Sequence, residues 1–235
     1  MKKIILLAAA SALVTPALAA PAAPAAPDAA RLKATVERLV SFGTRHTLSS
    51  ATDPRRGIGA ARAWGKAEFE KIGKGCGGCL SVETVADRFT GPRAPDGVEV
   101  VDVLAIQKGM GDPNEVVIVA GHIDSRVTDV MNISSDAPGA NDNASGTALV
   151  IEAARVLAGQ KFNGTIVYAL LSGEEQGLWG GKLLASTAKA RGWHVRAMLN
   201  NDIVGNTVGQ NGQVVADRVR VFSEGIRAGL SLIHI

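Results

Sequence analysis

Three near-continuous apolar runs, residues 116–120, 165–171 and 195–199, each stop at side chains able to bind a cation. The first leads into Gly121-His122-Ile123-Asp124, the second into Glu174-Glu175 and the third into Asn201-Asp202. Runs of this length without polar alternation are the pattern of strands covered on both faces. Between them lie segments with helical spacing. Leu32, Val36, Leu39 and Val40 share one face over residues 31–42, a second helix is expected over 60–72, and Leu149, Ala153, Val156 and Leu157 follow a cap at Asp142 or Asn143. A further helix is expected from about Glu174 to Lys189. Residues 81–89 and 98–106 read as Val-rich strands around a Gly/Pro turn. Alternating strands and helices predict an α/β fold with helices on both faces of the sheet. Ligands of such sheets bind beyond the carboxyl ends of the strands, where His122, Glu174-Glu175 and Asp202 all fall.

The first residues read as a targeting segment. Lys2-Lys3 form a basic start, residues 4–14 an apolar stretch, and Ala17-Leu18-Ala19 a small-residue cleavage site, so residues 1–19 are expected to be a signal peptide. The stretch is shorter than the ~20 residues a membrane span needs. A secreted or periplasmic protein is expected, with no membrane partner after cleavage. Residues 20–30, rich in Pro and Ala, are expected to be an extended spacer before one domain over residues 31–229. Removing Lys2 and Lys3 takes the basic count from 25 to 23 against 22 acidic residues. That near-neutral balance, with no long basic run, argues against a nucleic-acid partner.

Cys76 and Cys79 are the only cysteines. An oxidising compartment favours a disulfide between them. A redox pair is the alternative, but Gly75 and Leu80 do not read as a helix start that would acidify a thiol. A four-cysteine zinc site is excluded by the count.

Each acidic element has an ordinary reading beside a chemical one. His122 alone suits a buried strand end, but Asp124 two residues on supplies the carboxylate that a ligating imidazole uses to fix its tautomer. Asp142 suits a helix N-cap. The small residues Gly139, Ala140, Ala144, Ser145 and Gly146 around it also leave room for an ion, which its two oxygens can bridge to a second. Glu174-Glu175 suits a first helical turn. Adjacent acids point apart, however, so one can ligate while the other serves as a general base. His46, His194, Trp64, Trp179 and Trp193 are expected to be packing or surface residues.

The stretches Gly121-His122-Ile123-Asp124-Ser125, Pro138-Gly139-Ala140-Asn141-Asp142-Asn143-Ala144-Ser145-Gly146, Ser172-Gly173-Glu174-Glu175-Gln176-Gly177-Leu178 and Asn200-Asn201-Asp202-Ile203-Val204-Gly205 occur in one order. In this the chain resembles the co-catalytic zinc exopeptidases of the bacterial leucyl aminopeptidase and aminopeptidase Y type. The resemblance runs from about Arg31 to Gly229 and takes in Phe42-Gly43-Thr44-Arg45-His46, to which it assigns no role. It implies a mixed, mostly parallel sheet and two zinc ions. His122 and Asp202 are implied to hold one ion and Glu175 the other, with Asp142 bridging. Glu174 is implied to be the general base and Asp124 to orient His122. The implied substrate is a peptide with a free N-terminus. A glutaminyl cyclase or carboxypeptidase of the same fold, or a binding domain without catalysis, are the alternatives.

The chain departs from that family in one respect. The resemblance implies a last histidine ligand well beyond Asp202, and only His234 follows His194. His234 lies in Leu230-Ser231-Leu232-Ile233-His234-Ile235, which reads as the translation of a transposon end used in sequencing libraries. Residues 230–235 are therefore expected to be non-native, the domain incomplete and the 235-residue chain inactive by itself.

Overall fold

The apolar runs become strands, the second with the same bounds and the other two extended at both ends. In the computed structural model, which describes residues 25–209 and 211–222, β1 (Ser81–Gly91) and β2 (Ala94–Gln107) form an antiparallel hairpin. β3 (Glu115–His122), β4 (Thr165–Leu171) and β5 (His194–Asn200) complete a sheet of order β1-β2-β4-β3-β5. β2 meets β4 antiparallel, whereas β3 lies parallel to both β4 and β5. The sheet is thus mixed, and its parallel half carries the candidate site. In the parallel register His122 faces Leu171 and Ala120 faces Asn200, so three strands end nearly level. That level edge brings the acids that follow each strand into one neighbourhood.

Both faces of β3 and β4 are covered, which accounts for their lack of polar alternation. Val119, Tyr168 and Leu170 pack with Leu39 of α1 (Ala29–Val40), Phe69 of α2 (Ile58–Gly75) and Ile151 of α3 (Gly146–Leu157). Ile118, Val167, Ala169 and Leu171 pack on the other face against Leu184 of α4 (Trp179–Ala190). Leu104, Leu170 and Phe69 are fully buried, and side chains of this kind contribute roughly 1.5–3 kcal/mol each. Trp179 is buried and stacks on Phe89 at 5.7 Å, the packing role expected of it. Cys76, at the C-terminus of α2, is disulfide-bonded to Cys79.

The structure corrects the sequence reading at three places and decides a fourth. α1 begins at Ala29, inside the expected spacer, because the Asp28 carboxylate accepts from the N–H groups of Ala30 and Arg31. α4 begins at Trp179 rather than near Glu174. Gly173, Gly177 and Leu178 all have positive φ (71°, 138° and 60°), so Glu174-Glu175 ride a turn and not a helix. Of the two cap candidates, Asp142 and Asn143, it is Asn143 whose Oδ1 accepts from Gly146 N, at 2.9 Å. β5 is an edge strand with every residue exposed, although its run resembles those of β3 and β4. A run of apolar residues reports strand formation but not what covers the strand. The signal segment, most of the spacer, residues 230–235 and His234 lie outside the described residues.

Candidate metal centre

His122 closes β3, and its ring is held from both sides. Nδ1 lies 3.2 Å from the Asp124 carbonyl oxygen and 3.4 Å from Asp124 Oδ1. Nε2 lies 3.2 Å from Asp142 Oδ1 and 3.5 Å from Asp202 Oδ1. A proton on Nδ1, given to Asp124, leaves the Nε2 lone pair facing the other two carboxylates. One donor atom each from His122, Asp142 and Asp202 lie within 4.8 Å of one another. Burial pulls the imidazole pKa down, but the Asp124, Asp142 and Asp202 carboxylates outweigh it and push the group up to about 12. The position therefore demands positive charge, which either a proton or a divalent cation can supply. His122 is buried, whereas Asp142 and Asp202 remain partly open to solvent, giving an ion a route in.

Close backbone approach brings the Asp142 loop to Asp202. A Cβ on Gly146 would lie 2.1 Å from the Asn201 carbonyl oxygen, so only glycine fits there. Asn143 Nδ2 donates to that same oxygen at 2.8 Å. Val204 N donates to Ser145 Oγ and Gly205 N to Asn141 Oδ1. Because Asn143 takes the capping duty, the Asp142 carboxylate is released toward His122. The peptide bond between Asp142 and Asn143 is cis.

Asp124 is the hub of the arrangement. It is fully buried and accepts from the Thr47 hydroxyl at 2.8 Å, from Glu175 N at 3.2 Å and from Glu174 N at 3.3 Å. The same carboxylate thus orients the His122 ring and fixes the turn bearing both glutamates. Burial works to raise its pKa, but the His122 ring and the Thr47 and Glu175 donors hold it below the usual carboxylate value.

Glu174 and Glu175 sit in different surroundings. Glu175 is buried and its Oε2 lies 2.5 Å from Arg126 Nε, so it stands outside the His122–Asp142–Asp202 group. Arg93 bonds to the Glu175 carbonyl. Glu174 makes no ion pair among the described residues and is half-buried. Burial first, then the Asp124, Glu175 and Asp202 charges, raise its pKa despite the opposing pull of His122. A carboxyl with that tuning is suited to accept and return a proton.

Sequence reasoning did not single out Thr47, Arg126 or Asp102. Asp102 is fully buried in β2 and accepts from Ser172 N at 2.9 Å, anchoring the start of the glutamate turn. Burial pushes its carboxyl well up. A lone acid within an apolar strand was a signal available for it, whereas Thr47 and Arg126 carry no local mark. The second cluster of potential ligands, Asp112, Glu115 and His194, is largely exposed, and Arg196 already pairs with Glu115.

Fold and site together define an α/β protein with a candidate imidazole–carboxylate cation site at the carboxyl edge of its parallel strands. Nitrogen and oxygen donors in this number fit zinc, and carboxylate-rich sets of the kind also accept cobalt or manganese. The sequence matches Peptidase family M28 over residues 102–221, and the chain belongs to that family. A protein named probable zinc metalloprotease from Pyricularia oryzae is 47% identical over 204 residues, covering 84% of this chain and 40% of its own length. Another of that name from Pyrenophora teres f. teres is 47% identical over 199 residues, covering 84% and 41%. The chain thus spans about two-fifths of the length of these curated relatives. Among solved structures, LapB from Legionella pneumophila superposes with a TM-score of 0.62 at 23% identity, over 79% of this chain and 46% of that one. A glutaminyl cyclase from Bacteroides thetaiotaomicron gives 0.62 at 18% identity, over 79% and 65%. These two likenesses establish the zinc-exopeptidase type of fold.

Proposed function

We propose that the protein is a secreted or periplasmic zinc metallopeptidase, and within that class an aminopeptidase acting on peptides with a free N-terminus. The observation that carries the reading is the His122 ring, anchored through Nδ1 on Asp124 and facing Asp142 and Asp202 through Nε2. His122 and Asp202 would hold one ion and Glu175 a second, with Asp142 between them. When bound, such ions supply Lewis acidity and make water a better nucleophile at neutral pH.

The remaining work falls to the protein. Asp124 keeps the imidazole in the tautomer that leaves Nε2 free. Glu174 takes a proton from the attacking water at its carboxylate and returns it to the departing amine. Its raised pKa narrows the gap between those two transfers. Arg126 neutralises part of the charge on Glu175 and so keeps several carboxylates tolerable in one place. Secretion is supported by the basic-apolar-small order of residues 1–19 and by the Cys76–Cys79 disulfide.

The test measures release of free amine from aminoacyl reporters by a protein of the relatives' full length that carries this sequence, with and without a chelator and with zinc restored. Chelator-sensitive release that requires an unblocked N-terminus is the expected result. Equal cleavage of N-blocked peptides would reject the aminopeptidase assignment, and pyroglutamate formation from N-terminal glutamine would replace it with cyclase chemistry. A protein that takes up no zinc would defeat the metallopeptidase reading altogether.

A further inference from the structure

Residues 42–47 bond to the loops that carry His122, Asp142 and Glu175. At the centre is Arg45, only 1% exposed. Its guanidinium donates from Nε to Ile123 O at 2.8 Å, from one terminal nitrogen to Leu39 O at 3.1 Å and Pro138 O at 2.8 Å, and from the other to Gly139 O at 3.0 Å. All four acceptors are main-chain carbonyls, so ion pairing does not explain the burial of this cation. Burying a guanidinium is costly unless its donors are satisfied. Here three of the four acceptors come from the two loops that present His122 and Asp142, and the fourth, Leu39 O, from the end of α1.

The neighbours of Arg45 reinforce the same loops. Arg45 N donates to Ser125 Oγ, which donates onward to Ala137 O. Ala137 N donates to Gly43 O. Thr47 holds Asp124, and the His46 ring lies between Val130 O at 3.0 Å and the Gln176 side chain at 3.2 Å. Gly139 sits so near that a Cβ there would lie 2.9 Å from the guanidinium. A planar fork with fixed donor directions sets distance and angle between two loops, which a single flexible ammonium cannot do.

We propose that Arg45 is a positioning residue: its guanidinium fixes the His122–Asp124 loop against the Asp142 loop and thereby sets the spacing of the cation-binding donors. The inference rests on the metal-site reading above. It assigns a role to the Phe42-Gly43-Thr44-Arg45-His46 stretch, which touches no ligand side chain through Arg45 itself.

The sign of the effect separates this role from simple electrostatics. Removing a buried positive charge near Asp124 and Asp142 would, by charge alone, strengthen binding of a cation. Loss of positioning weakens it. Arg45→Lys keeps the charge and loses the fork, so it isolates positioning.

The experiment titrates zinc into the full chain against a chromophoric chelator, for wild type, R45K, R45A and R45A with millimolar guanidinium. Phe69→Leu, a remote core substitution, serves as the control for lost stability. The expected result is zinc affinity lowered roughly 10–100-fold in R45K, the range for residues that orient metal ligands. R45A is expected to weaken likewise and to be restored by guanidinium, while F69L lowers the melting temperature and leaves affinity unchanged. Should R45A fail to fold, R45K decides. Wild-type affinity in R45K, or tighter binding in R45A, overturns the proposal, and an R45K chain that does not fold assigns Arg45 to the core instead. Absence of zinc binding in wild type defeats the metal-site reading and this proposal with it, whereas intact wild-type binding with an unaltered R45K defeats only this one.

Discussion

Thr47→Val tests whether Asp124 organises the site. Among the described residues the hydroxyl of Thr47 supplies the shortest hydrogen bond that Asp124 receives, 2.8 Å to Oδ2, and the only other donor on that oxygen is Glu175 N at 3.2 Å. Asp124 is fully buried and reads as ionised, so the bond belongs to the charge-assisted class worth about 1.5–3 kcal/mol. Valine is chosen over alanine because Thr47 lines a cavity of about 450 Å³ with Ser49, Arg62 and Glu99, and water entering there would replace a lost hydroxyl. The methyl group blocks that replacement at nearly constant volume. We take about 2 kcal/mol as the expected loss, roughly thirtyfold in the folding equilibrium. At a urea slope of about 2 kcal/mol/M, the unfolding midpoint falls by about 1 M. Thr47→Ser, which keeps the hydroxyl, should stay near wild type. Zinc affinity should fall with the valine variant, because Asp124 also orients His122. A midpoint within about 0.2 M of wild type would refute the claim that Asp124 depends on this donor.

Three further outcomes follow from the same geometry. Glu174→Gln in the active enzyme should lower turnover about 10²–10⁴-fold with zinc content unchanged; near-normal turnover, measured beside metal analysis, removes Glu174 from the base role. Gly146→Ala forces a Cβ to within 2.1 Å of the Asn201 carbonyl, so it should cost about 1–3 kcal/mol in thermal unfolding and loosen zinc binding. A variant as stable as wild type would show that the Asp142 loop and the Asp202 segment can separate freely. Replacing both Cys76 and Cys79 by Ser opens a loop only three residues apart in sequence, for which chain entropy predicts a loss of about 2 kcal/mol or less and no change in zinc affinity. A changed affinity would tie the disulfide to the site, contrary to its place at the end of α2.

Much of the site was legible because each candidate ligand follows a segment with a plain physical signature. A strand buried on both faces announces itself by lacking polar alternation, and the residue that ends it must then lie on the sheet edge. His122, Glu174-Glu175 and Asp202 could therefore be placed together without coordinates. The glutamate turn was misread as helix, since Gly173 and Gly177 act through positive φ, which composition does not reveal. Asp142 was ambiguous for a different reason. Asp and Asn both cap helices well, and only the hydrogen bond from Gly146 N to Asn143 Oδ1 shows which of them does so.

What the sequence determined by itself was the order of strands and helices, the edge on which the acids gather and the chemical type of the donors, because periodicity and residue chemistry are local properties. What only the tertiary structure decided was how those donors are held. Thr47 reaches Asp124 across 77 positions of sequence, and Arg45 reaches Gly139 across 94. Such contacts arise when distant segments meet in a packed interior, where a buried charge must find its partners wherever the chain supplies them. No local pattern encodes that meeting, so the frame that positions the ligands became visible only in the fold.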